Sequence, residues 1–259
     1  MTYKKSDLIE FANIVEDLTG ITLDHNQEFL IEKRLKSTLE LLRKTKVDKT
    51  FFDCLKNKKD IESKLISMFT NNETSFFRDK LPFDFIVKNV QESESEISIA
   101  SVASSTGQEP LSIVISLKEA GVTQSKFSIN AYDIDERALH HPLDVGYRQF
   151  ELNRGINEEL QRKYFVVHDR KFFPKEEILT SVKSKQFNIL KDNFNLDFNI
   201  IFCRNLLFYF NEENKMSSVD KLTRHLTPNG ILVLGNGEKV VHQSLEEKSW
   251  NGLVYYVKK

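Results

Sequence analysis

Residues 97–117 read ISIASVASSTGQEPLSIVISL. Small and β-branched residues come first, then Ser104, Ser105, Thr106 and Gly107 form a run of small side chains, and an apolar pattern at helical spacing follows. The order is strand, tight loop, helix. Small residues in such a loop let backbone amides and a helix N-terminus come close to a bound nucleotide-like group, which large side chains would prevent. Pro110 stands where proline is tolerated, in the first helical turn, and Glu109 is left near the loop mouth. There is one glycine and no GxGxxG, so the spacing alone is equally compatible with a strand–turn–helix that binds nothing.

The chain downstream continues the same alternation. Residues 126–131 read as a second strand, and Asp133 falls just past its end in YDID. A carboxylate at that point can accept both hydroxyls of a ribose; the alternative is a helix cap, which Asp135 could supply equally well. Pro142 is expected to cut the following helix short, and the adjacent His140 and His141 are read as surface residues rather than metal ligands. From Tyr147 to about Leu190 the regular pattern breaks down, and RKYFVVHD and RKFFP look like strands of a small inserted sheet. The continuous apolar run FNIIFC, residues 198–203, suits a buried parallel strand. It delivers Arg204 and Asn205 to the sheet edge where open α/β folds bind ligands. A helix over 212–225, a strand in LTPNGILVLGNGEK and a last hairpin partner in WNGLVYYVKK complete the chain.

Upstream the pattern is helical throughout. Ser6 can cap a helix that ends at Gly20. A second helix is expected over 26–43, with Phe29, Leu30, Leu35, Leu39 and Leu42 as its apolar stripe and Lys33, Arg34 and Lys36 largely outside it. Further helices are expected over 49–57 and 61–69. In TNNETSFFRDKLPFDFIV, residues 70–87, a helical core face with a surface arginine is the default reading. QESESE, residues 91–96, reads as an exposed connection.

With 259 residues, 40% hydrophobic and 29% charged, the chain is long enough for one large domain or two smaller ones. A net charge of −1 lacks the basic excess of a nucleic-acid binder. Cys54 and Cys203 make neither a metal spacing nor a disulfide framework. There is no signal-like N-terminus and no run of eighteen apolar residues. A cytoplasmic protein without membrane insertion is expected.

The segments NETSFFRD, SSTGQEPLS, YDID and FCRNLLFYF, followed by LTPNGILVLGNGE, together resemble the chemotaxis receptor methyltransferases of the CheR type. The likeness runs over nearly the whole chain, including TGITL and EKRLKSTL. It implies an α/β fold: a small all-helical N-terminal domain, 1–80, followed by a Rossmann-like methyltransferase domain, 81–259, with an inserted β-subdomain at about 150–187. It implies an enzyme that uses S-adenosyl-L-methionine, leaves S-adenosyl-L-homocysteine, and esterifies glutamates on the cytoplasmic domain of chemoreceptors. Such an enzyme would be monomeric. Carried over by position, Asn72, Thr74, Glu109, Asp133, Asn188, Ile189, Arg204 and Asn205 would bind the cofactor, beside the loop at Gly107. Arg78 and Tyr209 would lie closest to the transferred methyl, Arg78 also lining the cofactor pocket. Leu111 replaces a usual tyrosine, Gln108 an often-found glutamate, and a GHSE-like segment reads Gly235-Asn236-Gly237-Glu238. The competing reading is a cofactor-dependent signalling module without catalysis. A nucleic-acid methyltransferase would need charge and an Asn/Asp-Pro-Pro-aromatic motif that the chain lacks.

Overall fold

The computed structural model describes residues 3–23, 28–57 and 59–259, and they form two compact units. The first comprises Met1–Asn71 with Tyr209–Lys215, the second Asn72–Phe208 with Met216–Lys259.

The first unit holds α1 (Lys5–Thr19), α2 (Glu28–Leu41), α3 (Lys49–Asn57) and α4 (Lys59–Phe69). Leu8, Phe11, Ala12 and Val15 repeat at three and four residues and bury against Ile31, Leu35, Phe51 and Phe69. Gly20 ends α1 in the left-handed conformation. The start differs from expectation: Ser6 lies inside α1, and the Lys4 N–H donates to the Asp7 carboxylate instead. In α2 the buried stripe is Ile31, Leu35, Thr38 and Leu39. Phe29 and Leu30, expected on that stripe, lie about 200° and 100° around the helix from Ile31 and are exposed. The expected start of this helix at Asn26 lies outside the described residues. Arg34 donates to the Met68 carbonyl and lies over the Phe69 ring, so it ties α2 to the end of α4.

The second unit runs α5 (Leu81–Glu92), β1 (Ile97–Val102), α6 (Gln108–Glu119), β2 (Phe127–Asp133), α7 (Glu136–Asp144), α8 (Gln149–Asn153), α9 (Glu158–Tyr164), β3 (Phe165–His168) and β4 (Lys171–Pro174). It continues with α10 (Glu176–Leu179), β5 (Val182–Gln186), β6 (Phe198–Cys203), α11 (Glu212–Arg224), β7 (Leu226–Leu234), β8 (Leu245–Trp250) and β9 (Leu253–Lys258). The first residues of α11 belong to the first unit. Seven strands make one sheet in the order β5-β2-β1-β6-β7-β9-β8. The first five are parallel, β9 is antiparallel to both its neighbours, and Ile99 pairs with Ile129 on one side and Ile200 on the other. The chain moves outward from β1 through β2 to β5, then returns to lay β6 on the opposite side of β1. Ligands of open α/β sheets sit at that reversal, outside the carboxyl ends of the strands. Burial on both faces explains why β6 reads as a near-continuous apolar run and why β1 carries only small and β-branched residues.

Four local expectations change. Residues 71–80 are loop and turn rather than helix, with Phe77 and Asp79 left-handed and only Phe76 fully buried. Pro142 lies within α7, which continues to Asp144. Its ring would stand 2.9 Å from a Cβ on Gly107, so it walls the loop instead of ending the helix. The small sheet contains only β3 and β4, while β5 joins the large sheet beside β2. Strand β2 also runs to Asp133 itself, which is its last residue.

Candidate functional site

The loop after β1 alternates left-handed residues: Ala103, Ser105 and Gly107 have φ of 58°, 51° and 86°. Two of these carry a Cβ, a conformation that persists only where the surroundings impose it. Here they do. Ser104 N–H donates to the Tyr132 carbonyl at 3.0 Å, and Ser105 N–H donates to Asp133 Oδ2 at 2.7 Å. Gly107 is required twice over, by its φ and because a Cβ would meet Pro142 Cγ at 2.9 Å.

Asp133 is buried, and its Oδ1 also accepts the Asp135 N–H at 2.8 Å. Burial pushes its carboxyl up to about 6, against the backbone N–H bonds that favour the charged form. A carboxylate has about four acceptor positions, so the backbone bonds leave room for further donors. Asp135 caps α7 through Arg137 N–H and accepts Asn72 Nδ2 at 3.0 Å. The Asn72 carbonyl accepts the Ser105 hydroxyl at 3.1 Å. Asn72, Ser105, Asp133 and Asp135 thus form one connected group at the ends of β1 and β2. Asn188 and Ile189 follow β5, and Phe187 N–H ties the segment to the end of β2 by donating to the Asp133 carbonyl. Their turn is held by Asn188 Oδ1 accepting Leu190 N–H and by the buried Lys221, which donates to the carbonyls of Leu190 and Asp192.

A second group surrounds Arg204, whose side chain is 3% exposed. Its guanidinium donates to Glu109 Oε2 at 3.1 Å, to Asp79 Oδ2 at 2.8 Å and to the Arg78 carbonyl at 2.9 Å. Ser101 donates to the other oxygen of Glu109 at 2.7 Å. Two carboxylates on one buried cation satisfy the requirement that buried charges be paired. Among the described residues, Arg204 Nε and the hydroxyl of Ser104 are buried polar atoms with no hydrogen-bond partner.

Asn205 leaves β6 with φ 63°. Glu238 holds this exit: its carboxylate accepts the N–H groups of Asn205 and Leu207, each at 2.8 Å, and of Gly235 at 2.7 Å. A Cβ on Gly235 would stand 2.6 Å from Glu238 Oε2. Asn236 and Gly237, where the segment departs from the GHSE-like form, are exposed. The departure falls on exposed residues that also line the cavity beside Arg204, and the glycine and glutamate that carry the contacts are both present. A cavity of about 440 Å³ opens beside Arg204, lined also by Asp79, Lys80, Gly235, Glu238 and Lys239.

The residues singled out from the sequence divide as follows. Asn72 and Asp133 meet around the loop at Gly107, Glu109 and Arg204 meet each other, and Asn188 and Ile189 follow β5 while Asn205 follows β6, two strands that β2 and β1 separate. Arg78 places its carbonyl on Arg204, and among the described residues its side chain has no hydrogen-bond or ion-pair partner. Tyr209 belongs to the first unit, where Asn71 Nδ2 donates to its hydroxyl at 3.0 Å and Thr22 N–H to its carbonyl at 2.9 Å. Thr74 is half-buried in the loop that follows Asn72. Sequence reading missed Asp79, Ser101, Glu238 and Lys221. Nothing local marks them: even Lys221 shares the buried face of α11 with Ser218 and Thr223 as well as Val219 and Leu222.

The chain is similar to known proteins. The family model "CheR methyltransferase, SAM binding domain" matches residues 72–255. A chemotaxis protein methyltransferase of Borreliella burgdorferi is 31% identical over 91% of this chain and 89% of its own. One of Vibrio parahaemolyticus is 29% identical over 93% and 91%, and one of Salmonella typhimurium 28% over 88% and 81%. Among solved structures, the N-methyltransferase NodS of Bradyrhizobium japonicum with S-adenosyl-l-homocysteine superposes with a TM-score of 0.41 at 12% identity, over 70% of this chain and 89% of that one. A family match over most of the chain, with relatives at this level of identity, places the protein in the CheR methyltransferase family, as an S-adenosylmethionine-dependent methyltransferase.

Proposed function

We propose that this enzyme esterifies glutamate side chains on the cytoplasmic domain of bacterial chemoreceptors, acting as a cytoplasmic monomer. The observation that carries the reading is the pair of groups at the strand ends: a buried carboxylate with spare acceptor capacity at Asp133, and opposite charges at Glu109 and Arg204. These groups fit the cofactor. Asp133 would take two ribose hydroxyls, while Glu109 and the unpartnered Arg204 Nε offer opposite charges to an amino-acid end. Asn72, Thr74, the loop at Gly107, Asn188, Ile189 and Asn205 would complete the pocket.

Bound S-adenosylmethionine supplies a methyl on a cationic sulfur, and S-adenosylhomocysteine is left as a neutral thioether. A glutamate with a pKa near ~4.3 is already ionised at neutral pH, so no general base is needed and alignment is the main task. Correct alignment is worth up to about 7–11 kcal/mol. Arg78 would grip one carboxylate oxygen and leave the other to attack, since a guanidinium has directional donors. Tyr209 would orient the reacting groups, its hydroxyl set by Asn71. The helical region, 1–80, would meet the receptor and supply Asn72, Thr74 and Arg78 from its last residues, and 81–259 would carry the rest of the cofactor pocket and Tyr209. With Arg34 committed to Met68, Lys33 and Lys36 are the cations left on that face of α2 to steer an acidic receptor segment. The hairpin of β3 and β4 has no glycine, and tethering to a receptor tail through it is weak or absent.

The test is to incubate the enzyme with tritiated cofactor and extract of its own cell. A receptor-sized band whose label is released as methanol by alkali is the expected result. Cofactor binding without transfer to any protein would favour the signalling module.

A further inference from the structure

The loop that turns from β1 into α6 is also held from the side by a residue outside the groups described above. Tyr147, between α7 and α8, is fully buried. Its hydroxyl donates to the Thr106 carbonyl at 2.6 Å and stands 3.3 Å from where a Cβ on Gly107 would be. Its own backbone exchanges two hydrogen bonds with Phe172 of β4, both 2.8 Å. Its ring meets Phe76 edge-on at 5.0 Å and Phe165 of β3 at 6.2 Å. One tyrosine therefore joins the segment after Asn72, the small hairpin and the loop. The left-handed residues at 103 and 105 make that loop intrinsically costly, and a carbonyl anchored between Ser105 and Gly107 limits its escape to a relaxed form.

We propose that Tyr147 is a positioning residue for cofactor binding: its hydroxyl fixes the Thr106 carbonyl, while the backbone pair with Phe172, which does not depend on the Phe165 ring, holds Tyr147 in place. This rests on the reading that the loop at Gly107 holds S-adenosylmethionine. The hydroxyl is a permanent donor, because burial raises its pKa well above the usual value for a tyrosine.

The test compares Tyr147→Phe, which removes one O–H and keeps the ring, with Phe165→Leu, which trims the same aromatic cluster and leaves the hydroxyl. Measured for each are the Kd of S-adenosylhomocysteine by calorimetry, cofactor KM, kcat and Tm. Tyr147→Phe is expected to raise Kd and KM together by about three- to tenfold, the worth of one neutral hydrogen bond, with kcat at saturating cofactor nearly unchanged. Phe165→Leu is expected to lower Tm and leave Kd alone. Tyr147→Phe with lowered Tm but wild-type Kd and KM would overturn the proposal, as would equal Kd changes in both variants. Wild-type protein that binds no S-adenosylhomocysteine would instead overturn the underlying assignment of the loop, and this proposal with it.

Discussion

Asp133 pays an electrostatic penalty for its place at the end of β2: burial lifts its carboxyl to about 6, and the Ser105 and Asp135 amides offset only part of that. Two hydroxyl donors from a ribose would favour the ionised form. Protons therefore compete with the cofactor, and affinity for S-adenosylhomocysteine should be constant above about pH 7 and fall as pH drops through about 6. Titration calorimetry from pH 5 to 8 reads this, and Asp133→Ala should remove the dependence together with about 1–3 kcal/mol of binding. Arg204 makes a different prediction. Arg204→Met leaves Glu109, which is mostly buried, without its cation, and should cost about 3 kcal/mol of stability in urea unfolding.

At the scale of elements, the exit of β6 depends on a residue thirty-three positions away from Asn205. Glu238→Ala removes the acceptor of three N–H groups, so amide exchange at Asn205 and Leu207 should quicken. Displacing the turn into Tyr209 should lower turnover by about tenfold or more. The β3–β4 hairpin turns through Asp169 and Arg170, both left-handed at φ 47° and 61°. Arg170→Gly should relieve about 1 kcal/mol of strain and raise Tm, and an unchanged Tm would count against that strain. These contacts also mark what a sequence can disclose. Strands β1, β2 and β6 and the helices of the first unit were legible because burial imposes a period on them. The Pro142 wall, the exposed Phe29 and Leu30, the irregular backbone over 71–80 and the Glu238 clamp were not, because each depends on a partner distant in sequence or on a phase that one residue shifts. Asp133, Arg204 and Asn205 were legible because a strand end locates them, whereas Asp79 and Ser101 owe their roles to Arg204 and Glu109.

Across the whole molecule, both edges of the large sheet are protected by charge: Lys183 and Lys185 on β5, Glu246, Glu247 and Lys248 on β8, all exposed. Among the described residues no helix is long and apolar enough to cross a membrane. Arg78 and Tyr209 are proposed to act on the transferred methyl and its acceptor, whereas the groups proposed to hold the cofactor are other residues, all within the second unit. Loss of either residue should therefore affect turnover and spare cofactor binding. The most direct measurement is alkali-labile methyl incorporation into a purified receptor cytoplasmic fragment by wild type, Arg78→Ala and Tyr209→Phe, alongside the Kd of S-adenosylhomocysteine for each. The predicted result is transfer by the wild type, a large fall in turnover in both variants and nearly constant Kd. Wild-type protein that binds S-adenosylhomocysteine yet methylates no receptor fragment, or an Arg78→Ala enzyme that turns over at the wild-type rate, would contradict it.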